Sequence, residues 1–193
     1  MFTFERMSFR YRDHIFTDFS AEIPTRKIGV VGKNGVGKTT LLRLLDQQLV
    51  PQAGSVQVDG STYLVDFELR KYASFQLTDL FALVSPLASF DLAAAPRLVD
   101  DLNLTDYQRT PLGELSKGVT KKVSLLLGLL STTDVLLIDE PFESIDRDSN
   151  EALIGVLRAS ARGLVVVSHD EDHLERCVDE VYQVDGGRLV TRC

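Results

Sequence analysis

Basic residues are in deficit in this 193-residue sequence, which has 21 Lys and Arg against 28 Asp and Glu and a formal net charge of −7. Nucleic-acid-binding proteins usually carry a Lys/Arg-dense face or tail, so this composition argues against a nucleic-acid partner. Cysteine is scarce too: Cys177 and Cys193 are too few for a disulfide framework and fit a reducing compartment. We interpret them as a buried small hydrophobic residue and a frayed terminal residue.

Long apolar runs are also lacking. The richest one, at 123–130, is about half of the ~20 residues that a membrane-spanning helix needs. Residues 1–6 alternate in polarity and carry charge early, so we expect no secretory signal peptide. If the protein works at a membrane, we expect it to do so through a partner protein.

One stretch carries a specific pattern. Residues 32–39, Gly-Lys-Asn-Gly-Val-Gly-Lys-Thr, fit the phosphate-binding pattern G-x-x-x-x-G-K-S/T at every fixed position. The apolar run at 27–31 is typical of a buried strand, and the residues after the pattern have the apolar spacing of a helix packed on a sheet. Strand, glycine loop and helix thus come in the order of a P-loop. A glycine-rich turn before an ordinary helix is the simpler alternative, but such a turn has no use for the Lys38–Thr39 pair.

The P-loop predicts which residues hold a nucleotide. Glycines let main-chain N–H groups curl around phosphate oxygens, and the start of the following helix adds partial positive charge. Lys38 would reach the β- and γ-phosphates, and the Thr39 hydroxyl would bind Mg²⁺. A chain of this length predicts one α/β domain with one nucleotide site. The candidate nucleotide-binding residues of the loop are Asn34, Gly35, Val36, Gly37, Lys38, Thr39 and Thr40.

Two hairpins are predicted from turn residues. The Asp-Gly pair at 59–60 lies between β-rich runs at 56–58 and 63–65, which indicates a two-residue hairpin. A second hairpin is predicted between 180 and 191, where the turn is Asp-Gly-Gly at 185–187.

The other segments indicate a core and an insertion. Residues 2–30 alternate apolar and polar in short runs and predict two or three strands that lead into the P-loop. Residues 68–112 have apolar residues at helical spacing, interrupted by Pro86 and Pro96, without a strand-like β-branched run. We predict a small helical lobe inserted into an α/β core.

Two carboxylates end a predicted buried strand at 135–140. Asp139 and Glu140 follow an apolar run, and two adjacent acids at a sheet edge are costly without a cation. A nearby Mg²⁺ would resolve this, with Asp139 as its ligand. His169 follows the next predicted strand, at 164–167, at the end where open α/β sheets bind ligands.

Ser116 precedes an apolar helix that continues to residue 130. A serine there is suited to cap the helix, and the free N–H groups behind it form a second potential anion site.

These pieces, in their order and spacing, resemble the nucleotide-binding domain of the ABC ATPases over nearly the whole chain. Leu-Ser-Lys-Gly-Val at 115–119 is similar to the family signature L-S-G-G-Q, with Lys in the third place and Val in the fifth. Ser116 stands 23 residues before Asp139, as the family expects. By the same resemblance Glu140 matches the catalytic glutamate, residues 144–146 the D-loop, His169 the switch histidine and Tyr11 the aromatic residue that stacks on adenine.

The resemblance implies the α/β fold of a P-loop NTPase, with a mainly parallel sheet. It implies a single ABC ATPase domain over 1–193, with its core at 1–67 and 113–193. A short antiparallel β-subdomain would correspond to 51–65, and an inserted helical subdomain to about 68–112.

The resemblance also implies ATP and Mg²⁺ as cofactors of an ATPase that energises a membrane transporter. Glu140 would act as general base or orient the water, His169 would contact the γ-phosphate, and Lys38 would complete the catalytic set. Ser116 and Gly118 of one protomer would cap the nucleotide of a second protomer, so one chain carries two half-sites. A separate integral membrane permease would hold the subunit, otherwise cytoplasmic, at the inner face of the cell membrane.

Two other functions stay open. A soluble ABC-type ATPase acting on ribosomes or DNA would usually have two nucleotide domains, a long coiled coil or a basic surface, and the sequence shows none of these. A nucleotide-binding switch is the other, and Glu140 and His169 argue against it.

One position departs from the family pattern. The lid glutamine should follow 63–65, and the residue there is Asp66. Asp66 joins Thr39 and Asp139 as a candidate metal ligand, directly or through water, with a shorter reach and an added negative charge. Gln76 is the alternative, although it lies ten residues too late for the register.

Three candidates also have simpler explanations. Tyr11 could be a core residue, His169 a satisfied polar residue and Glu140 a partner in a buried salt bridge. The spacing to Lys38 favours the adenine role of Tyr11, and the constellation as a whole favours functional roles for the other two.

Overall fold

The computed structural model describes residues 1–11, 14–24, 26–65 and 69–192, which form two β-sheets and the helices around them. The strands in these ranges are β1 (Phe2–Arg10), β2 (His14–Ile23), β3 (Lys27–Val31), β4 (Ala53–Val58), β5 (Thr62–Leu64), β6 (Val135–Asp139), β7 (Gly163–Val167), β8 (Glu180–Asp185) and β9 (Arg188–Thr191). The α-helices are α1 (Lys38–Leu45), α2 (Leu77–Val84), α3 (Ala95–Asp101), α4 (Lys117–Leu130), α5 (Arg147–Ala159) and α6 (Glu171–Cys177).

The central sheet has six strands in the order β5-β6-β7-β3-β8-β9. Neighbouring strands are parallel except for β8 and β9, which are antiparallel. All of β7 and the first four residues of β6 are buried, because helices or the second sheet cover both faces of these strands. The predicted α/β fold with a mainly parallel sheet is confirmed.

This sheet divides the core into two apolar layers, since successive side chains of a strand point to opposite faces. On β6, Leu136 and Ile138 belong to the layer formed with α4, α5 and α6. Val135 and Leu137 belong to the layer formed with α1 and the second sheet. The site described below is therefore supported from both sides by packed side chains.

The second sheet is antiparallel, with the order β2-β1-β4. The predicted hairpin at 59–60 is wrong, because β4 pairs with β1 in this sheet and β5 pairs in parallel with β6 in the central one. The Asp134 carboxylate accepts hydrogen bonds from the main-chain N–H and the hydroxyl of Ser61, both at 2.8 Å, and so holds the chain after the turn on β6. The antiparallel β-subdomain thus consists of β1, β2 and β4 and not of residues 51–65.

The second predicted hairpin is confirmed. Asp185 of β8 pairs with Arg188 of β9, and Gly186 and Gly187 form the two-residue loop between them. Both glycines have positive φ, 53° and 74°, as a type I′ turn requires.

Residues 69–114 contribute α2, α3 and four short 3-10 turns, at Leu69–Tyr72, Leu92–Ala94, Thr105–Tyr107 and Leu112–Glu114. Leu77 and Leu80 of α2 and the buried residues of α3 pack in the same apolar layer as α4. This is the segment for which the sequence predicts a helical lobe. Among the residues described, no helix combines the length and apolar character needed to cross a membrane.

Cys177 lies at the end of α6 and is fully buried. Burial raises the pKa of its thiol to about 11, as befits a small hydrophobic core residue. Cys193 lies outside the described residues.

Candidate functional site

Three strands of the central sheet end at the same level on one edge. Asp139, the last residue of β6, pairs with Val167 of β7, and Val167 pairs with Val30 of β3. The P-loop follows β3, Glu140 follows β6, and His169 follows β7 by two residues. The predicted phosphate loop, carboxylates and histidine therefore meet at the carboxyl edge of the sheet, where parallel sheets bind ligands.

The path of the P-loop depends on its glycines. Gly32, Gly35 and Gly37 have φ of 151°, 79° and 113°. A Cβ at Gly37 would collide with the side chain of Ile15, so the antiparallel sheet packs directly against the loop. Gly35 faces open space, which leaves its main chain accessible to a ligand. Because α1 begins at Lys38, its first free N–H groups lie beside the loop.

Lys38 points back into the loop. Its side chain is 8% exposed, and its ammonium donates hydrogen bonds to the carbonyls of Gly32 at 2.8 Å and Lys33 at 3.2 Å. Both partners are neutral, so the charge of the ammonium is available for a phosphate. The other candidates of the loop are exposed at Asn34, half-buried at Val36 and buried at Thr40.

Thr39 and Asp139 are joined although they lie far apart in sequence. The Thr39 hydroxyl donates a hydrogen bond of 2.5 Å to Oδ2 of Asp139. Burial raises the pKa of Asp139 above its ordinary value and outweighs the Thr39 hydrogen bond, and the neighbouring Glu140 carboxylate raises it further. A cation placed beside these two oxygens would favour the charged carboxylate.

Glu140 and His169 form the second pair at this edge. Oε2 of Glu140 accepts a hydrogen bond from the main-chain N–H of His169 at 3.1 Å and lies 2.9 Å from Nδ1 of its ring. The main chain of Glu140 is left-handed, with φ of 49°, and its N–H donates to the carbonyl of Val167 at 2.8 Å. The carboxylate is thus aimed along the sheet edge, with 24% of its side chain exposed.

Tyr11 lies just beyond the end of β1 and is 56% exposed, so it is not a core residue. Its ring packs edge-on against Phe9, with 5.1 Å between the ring centroids. Phe9 pairs across the sheet with Phe16, whose ring borders Gly37. Tyr11 therefore lies exposed at the P-loop end of the antiparallel sheet.

The start of α4 carries the serine of the signature-like segment. Oγ of Ser116 accepts a hydrogen bond from the N–H of Val119 at 3.3 Å and caps the helix, as predicted. Gly118 lies against the D-loop, where a Cβ would collide with the main-chain carbonyl oxygen of Ser144. The start of α4 is packed on the D-loop at Gly118 and exposed at Ser116.

Asp146 ends the D-loop and caps α5. Its carboxylate accepts hydrogen bonds from the N–H and the hydroxyl of Ser149, both at 2.9 Å, and forms an ion pair of 3.0 Å with Lys122. Burial acts to raise the pKa of Asp146, but the bonds from Ser149 and Lys122 together lower it to about 2. The Lys122 side chain is 6% exposed, so this carboxylate compensates a buried charge of α4.

Comparison with known proteins settles the family. A family model described as ABC transporter matches residues 17–143, about two thirds of the chain. This chain belongs to the ABC transporter ATP-binding family. An uncharacterised ABC transporter ATP-binding protein of Methanocaldococcus jannaschii is 26% identical over 184 residues, which cover 91% of this chain and 70% of that protein. An aliphatic sulfonates import ATP-binding protein of Rhodococcus jostii is 33% identical over 82% of this chain and 60% of that protein.

A solved structure agrees in fold with this ABC ATPase domain. It is the dimeric post-hydrolysis state of an ATP-binding cassette bound to ADP and Pi, with a TM-score of 0.82 and 15% identity over 100% of this chain and 98% of that one. At this identity the likeness concerns the fold alone. The chain spans between 11% and 80% of the length of the curated relatives compared with it.

The residues of this ABC ATPase domain fit Mg–ATP on two observations. The buried Lys38 ammonium has neutral partners and suits a phosphate, and the Thr39–Asp139 pair supplies the hard oxygen ligands that Mg²⁺ prefers. Within the described chain no group of three or more His, Cys, Asp or Glu side chains is arranged to hold a metal by itself.

Two residues near the site are not marked by any sequence pattern. The Lys121 ammonium, from α4, donates to the main-chain carbonyls of Glu140 and Glu143. Asn150, from α5, donates to the carbonyl of Phe142 at 3.1 Å. Both hold the segment that leads from Glu140 to the D-loop. In the sequence, these two residues are marked only as polar side chains on partly apolar helices. The sequence does not reveal which carbonyls they bind.

Asp66, the predicted lid residue and third metal ligand, lies outside the described residues. The alternative, Gln76, stands at the start of α2, where its main-chain N–H donates to Oδ2 of Asp79 at 2.8 Å. The lid assignment of Asp66 stays a prediction.

Proposed function

We propose that this chain is the ATP-hydrolysing subunit of an ABC transporter, and that two protomers close around Mg–ATP to drive a separate membrane permease. The observation that carries the proposal is the arrangement at one sheet edge of a buried ammonium, a hydroxyl–carboxylate pair and a second carboxylate beside a histidine, in Lys38, Thr39–Asp139 and Glu140–His169. The import function named for the Rhodococcus jostii relative supports the transport role.

Binding follows from groups already in place. The N–H groups of the P-loop and of the first turn of α1 would surround the phosphates, and Lys38 would exchange its two carbonyl partners for β- and γ-phosphate oxygens. Tyr11, which is exposed, would stack on adenine. Binding therefore requires only local side-chain movement at the sheet edge.

Hydrolysis needs a positioned water and compensation of the charge on the γ-phosphate. Bound Mg²⁺ would neutralise charge on the β- and γ-phosphates. Thr39 and Asp139 would hold the metal, with Asp66 contributing from the lid. The Glu140 carboxylate would accept the proton of the attacking water or orient it, and His169 would keep that carboxylate aimed while it contacts the γ-phosphate.

The start of α4 supports the role of a second protomer. Ser116 is exposed at a helix end whose first turn contains no acidic residue, and its Oγ caps the N–H of Val119. The N–H groups of Lys117 and Gly118 and the Ser116 hydroxyl proton would face an approaching anion. We propose that Ser116 and the backbone at Gly118 cap the nucleotide held by the partner. The dimer recorded for the related ATP-binding cassette supports this arrangement.

The permease would hold this subunit at the cytoplasmic face of the membrane. The net charge of −7 favours a protein partner over a nucleic acid. Co-purification from detergent-solubilised cells decides between the transporter and a soluble ABC ATPase: the first predicts a stoichiometric integral membrane protein, the second a ribosomal or DNA complex.

Substitution of Glu140 tests the mechanism directly. Glu140→Gln keeps the shape of the side chain and removes the base, so we expect kcat to fall by about 10²–10⁴ and ATP to remain bound in a closed dimer. Size-exclusion chromatography with and without Mg–ATP, alongside steady-state ATPase assays, measures both effects. Glu175→Gln, at an exposed acid on α6, is the matched control. A Glu140→Gln protein that stays monomeric and hydrolyses ATP at the wild-type rate contradicts the proposal.

A further inference from the structure

Lys121 connects the signature-like segment to the catalytic carboxylate inside one protomer. It lies on the second turn of α4, five residues after Ser116, and its ammonium donates to the carbonyl of Glu140 and, at 2.9 Å, to that of Glu143. Burial lowers the pKa of Lys121 from its ordinary value, opposed by the nearby carboxylates of Glu143, Glu140 and Asp139. The ammonium is therefore partly desolvated and directed at the main chain of the site.

The segment that Lys121 holds has an unfavourable backbone at both ends. Glu140 has φ of 49° and Ser144 has φ of 64°, a left-handed conformation that residues with a Cβ rarely adopt unless their surroundings impose it. The carbonyls of Glu140 and Glu143 both point at the Lys121 ammonium, and that of Phe142 accepts from Asn150. Lys121 thus supplies a shared partner for two carbonyls of this bend.

We propose that Lys121 is a positioning residue for hydrolysis, which holds the bend that aims the Glu140 carboxylate and couples it to the nucleotide-facing start of α4. The proposal rests on the catalytic role proposed above for Glu140. Because Ser116 and Lys121 share the first two turns of one helix, a shift of the helix start displaces the main chain of Glu140. The contact of Gly118 with Ser144 ties the other end of the bend to the same helix.

This role separates catalysis from nucleotide binding. The phosphate-binding groups belong to the loop after β3 and to α1, whereas the two hydrogen bonds of Lys121 described above go to the segment after β6. Loss of Lys121 should therefore lower kcat and leave the affinity for Mg–ATP unchanged. A general loss of structure would weaken both.

The test compares Lys121→Met, Lys121→Gln and Lys121→Arg in steady-state ATPase assays and in titrations with a fluorescent ATP analogue. We expect Lys121→Met to lower kcat at least about tenfold, since a misplaced reacting group can cost up to about a hundredfold. The dissociation constant should stay within about twofold of wild type. Arginine also presents several N–H donors, so Lys121→Arg should recover most of the rate. Arg97→Met, at an exposed arginine of α3, controls for the lost positive charge.

Measurements in the Glu140→Gln background distinguish the positioning role of Lys121 from the catalytic role of Glu140. If Lys121 acts through Glu140, Lys121→Met should cause no further loss of the residual single-turnover rate in that background. A wild-type rate in Glu140→Gln alone would refute the catalytic assignment. If Glu140→Gln is slow but Lys121→Met keeps the wild-type kcat, only the positioning role of Lys121 is refuted. Equal losses of kcat and of Mg–ATP affinity in Lys121→Met would also refute that role. If Lys121→Met does not fold, Lys121→Gln takes its place under the same criteria.

Discussion

The carboxyl edge of the central sheet and the start of α4 both present groups suited to phosphate, but those groups are held differently. At the sheet edge, Lys38 is 8% exposed and donates to two carbonyls, and the Thr39 hydroxyl is bound to Asp139. At the start of α4, Ser116 and Lys117 are exposed, and the first turn of the helix contains no acidic residue. The edge is organised within the chain, whereas the helix start presents its N–H groups to solvent.

This difference predicts separate functions for the two regions. Groups already fixed by their neighbours can stabilise phosphate without further reorganisation, so the sheet edge should bind Mg–ATP in an isolated protomer. An exposed helix start would join a site only when another protomer brings a phosphate to it. We expect substitutions at the edge to alter nucleotide binding by the monomer, and substitutions at the helix start to alter assembly and leave that binding unchanged.

The largest effect on nucleotide binding should come from Lys38→Ala. Charge-assisted hydrogen bonds are worth about 1.5–3 kcal/mol, so the affinity for Mg–ATP should fall roughly ten- to a hundredfold. The fold should persist, because the present partners of the ammonium are two carbonyls at the open P-loop. Isothermal titration calorimetry measures the affinity, and circular dichroism the fold. Arg43→Ala, at an exposed residue of the same helix, is the control. If Lys38→Ala binds Mg–ATP with the affinity of the wild type, the P-loop does not form the nucleotide site.

Substitution of Ser116 should act on assembly instead. In the Glu140→Gln background, Ser116→Arg should abolish the ATP-dependent dimer, because a long side chain would occupy the place of the opposite γ-phosphate. Binding of Mg–ATP by the monomer should stay within about twofold, since the P-loop is untouched. Size-exclusion chromatography with multi-angle light scattering and a parallel nucleotide titration measure the two quantities.

A milder change at Ser116 provides the control. Ser116→Ala removes the helix cap without adding bulk, so it should cost about 1 kcal/mol of stability and retain part of the dimer. A Ser116→Arg protein that still dimerises with ATP would show that the start of α4 does not face the partner's nucleotide.

The parts of the site that could be predicted from sequence are those encoded in contiguous residues. The P-loop is one, because strand, glycines, Lys38 and Thr39 stand side by side and their order alone defines the structure. Ser116 is another, since a serine before an apolar helix can cap that helix without knowledge of the fold. The strand that ends in Asp139 was likewise recognisable from its own residues.

The parts that could not be predicted depend on distant partners. The runs at 56–58 and 63–65 have residues typical of a hairpin, yet each joins a different sheet. The first run pairs with β1, and the Asp134–Ser61 contact holds the second on β6. The turn at 185–187 is also a hairpin by composition, and there the two strands do pair with each other. The contacts of Lys121 lie beyond sequence patterns for the same reason, since they arise only when α4 packs beside β6.

A change in stability alone is expected from the ion pair that fastens the start of α4 to the D-loop. Asp146→Asn keeps an N-cap residue but leaves the buried Lys122 ammonium without its counter-charge. Removing one member of a buried pair costs about 3–5 kcal/mol, and because the Asp146 side chain is 49% exposed we expect a smaller loss, about 1–2 kcal/mol at pH 7. Urea denaturation of both proteins measures it. Asp101→Asn, in the more exposed pair with Arg97, should cost about 0–1 kcal/mol.

The pH dependence of the stability difference between wild type and Asp146→Asn shows whether the charge of Asp146 causes it. The pKa of Asp146 is lowered to about 2 in the folded chain, whereas an unperturbed Asp has a pKa of about 3.9. A lowered folded pKa contributes stability that is fully present above the unfolded pKa and is lost as the pH falls toward the folded one. The stability difference between wild type and Asp146→Asn should therefore be constant from about pH 7 to 5 and shrink between about pH 4 and 2. A difference that stays the same at pH 3.5 and pH 7 would mean that the cap hydrogen bonds, and not the charge of Asp146, fasten α4 to the D-loop.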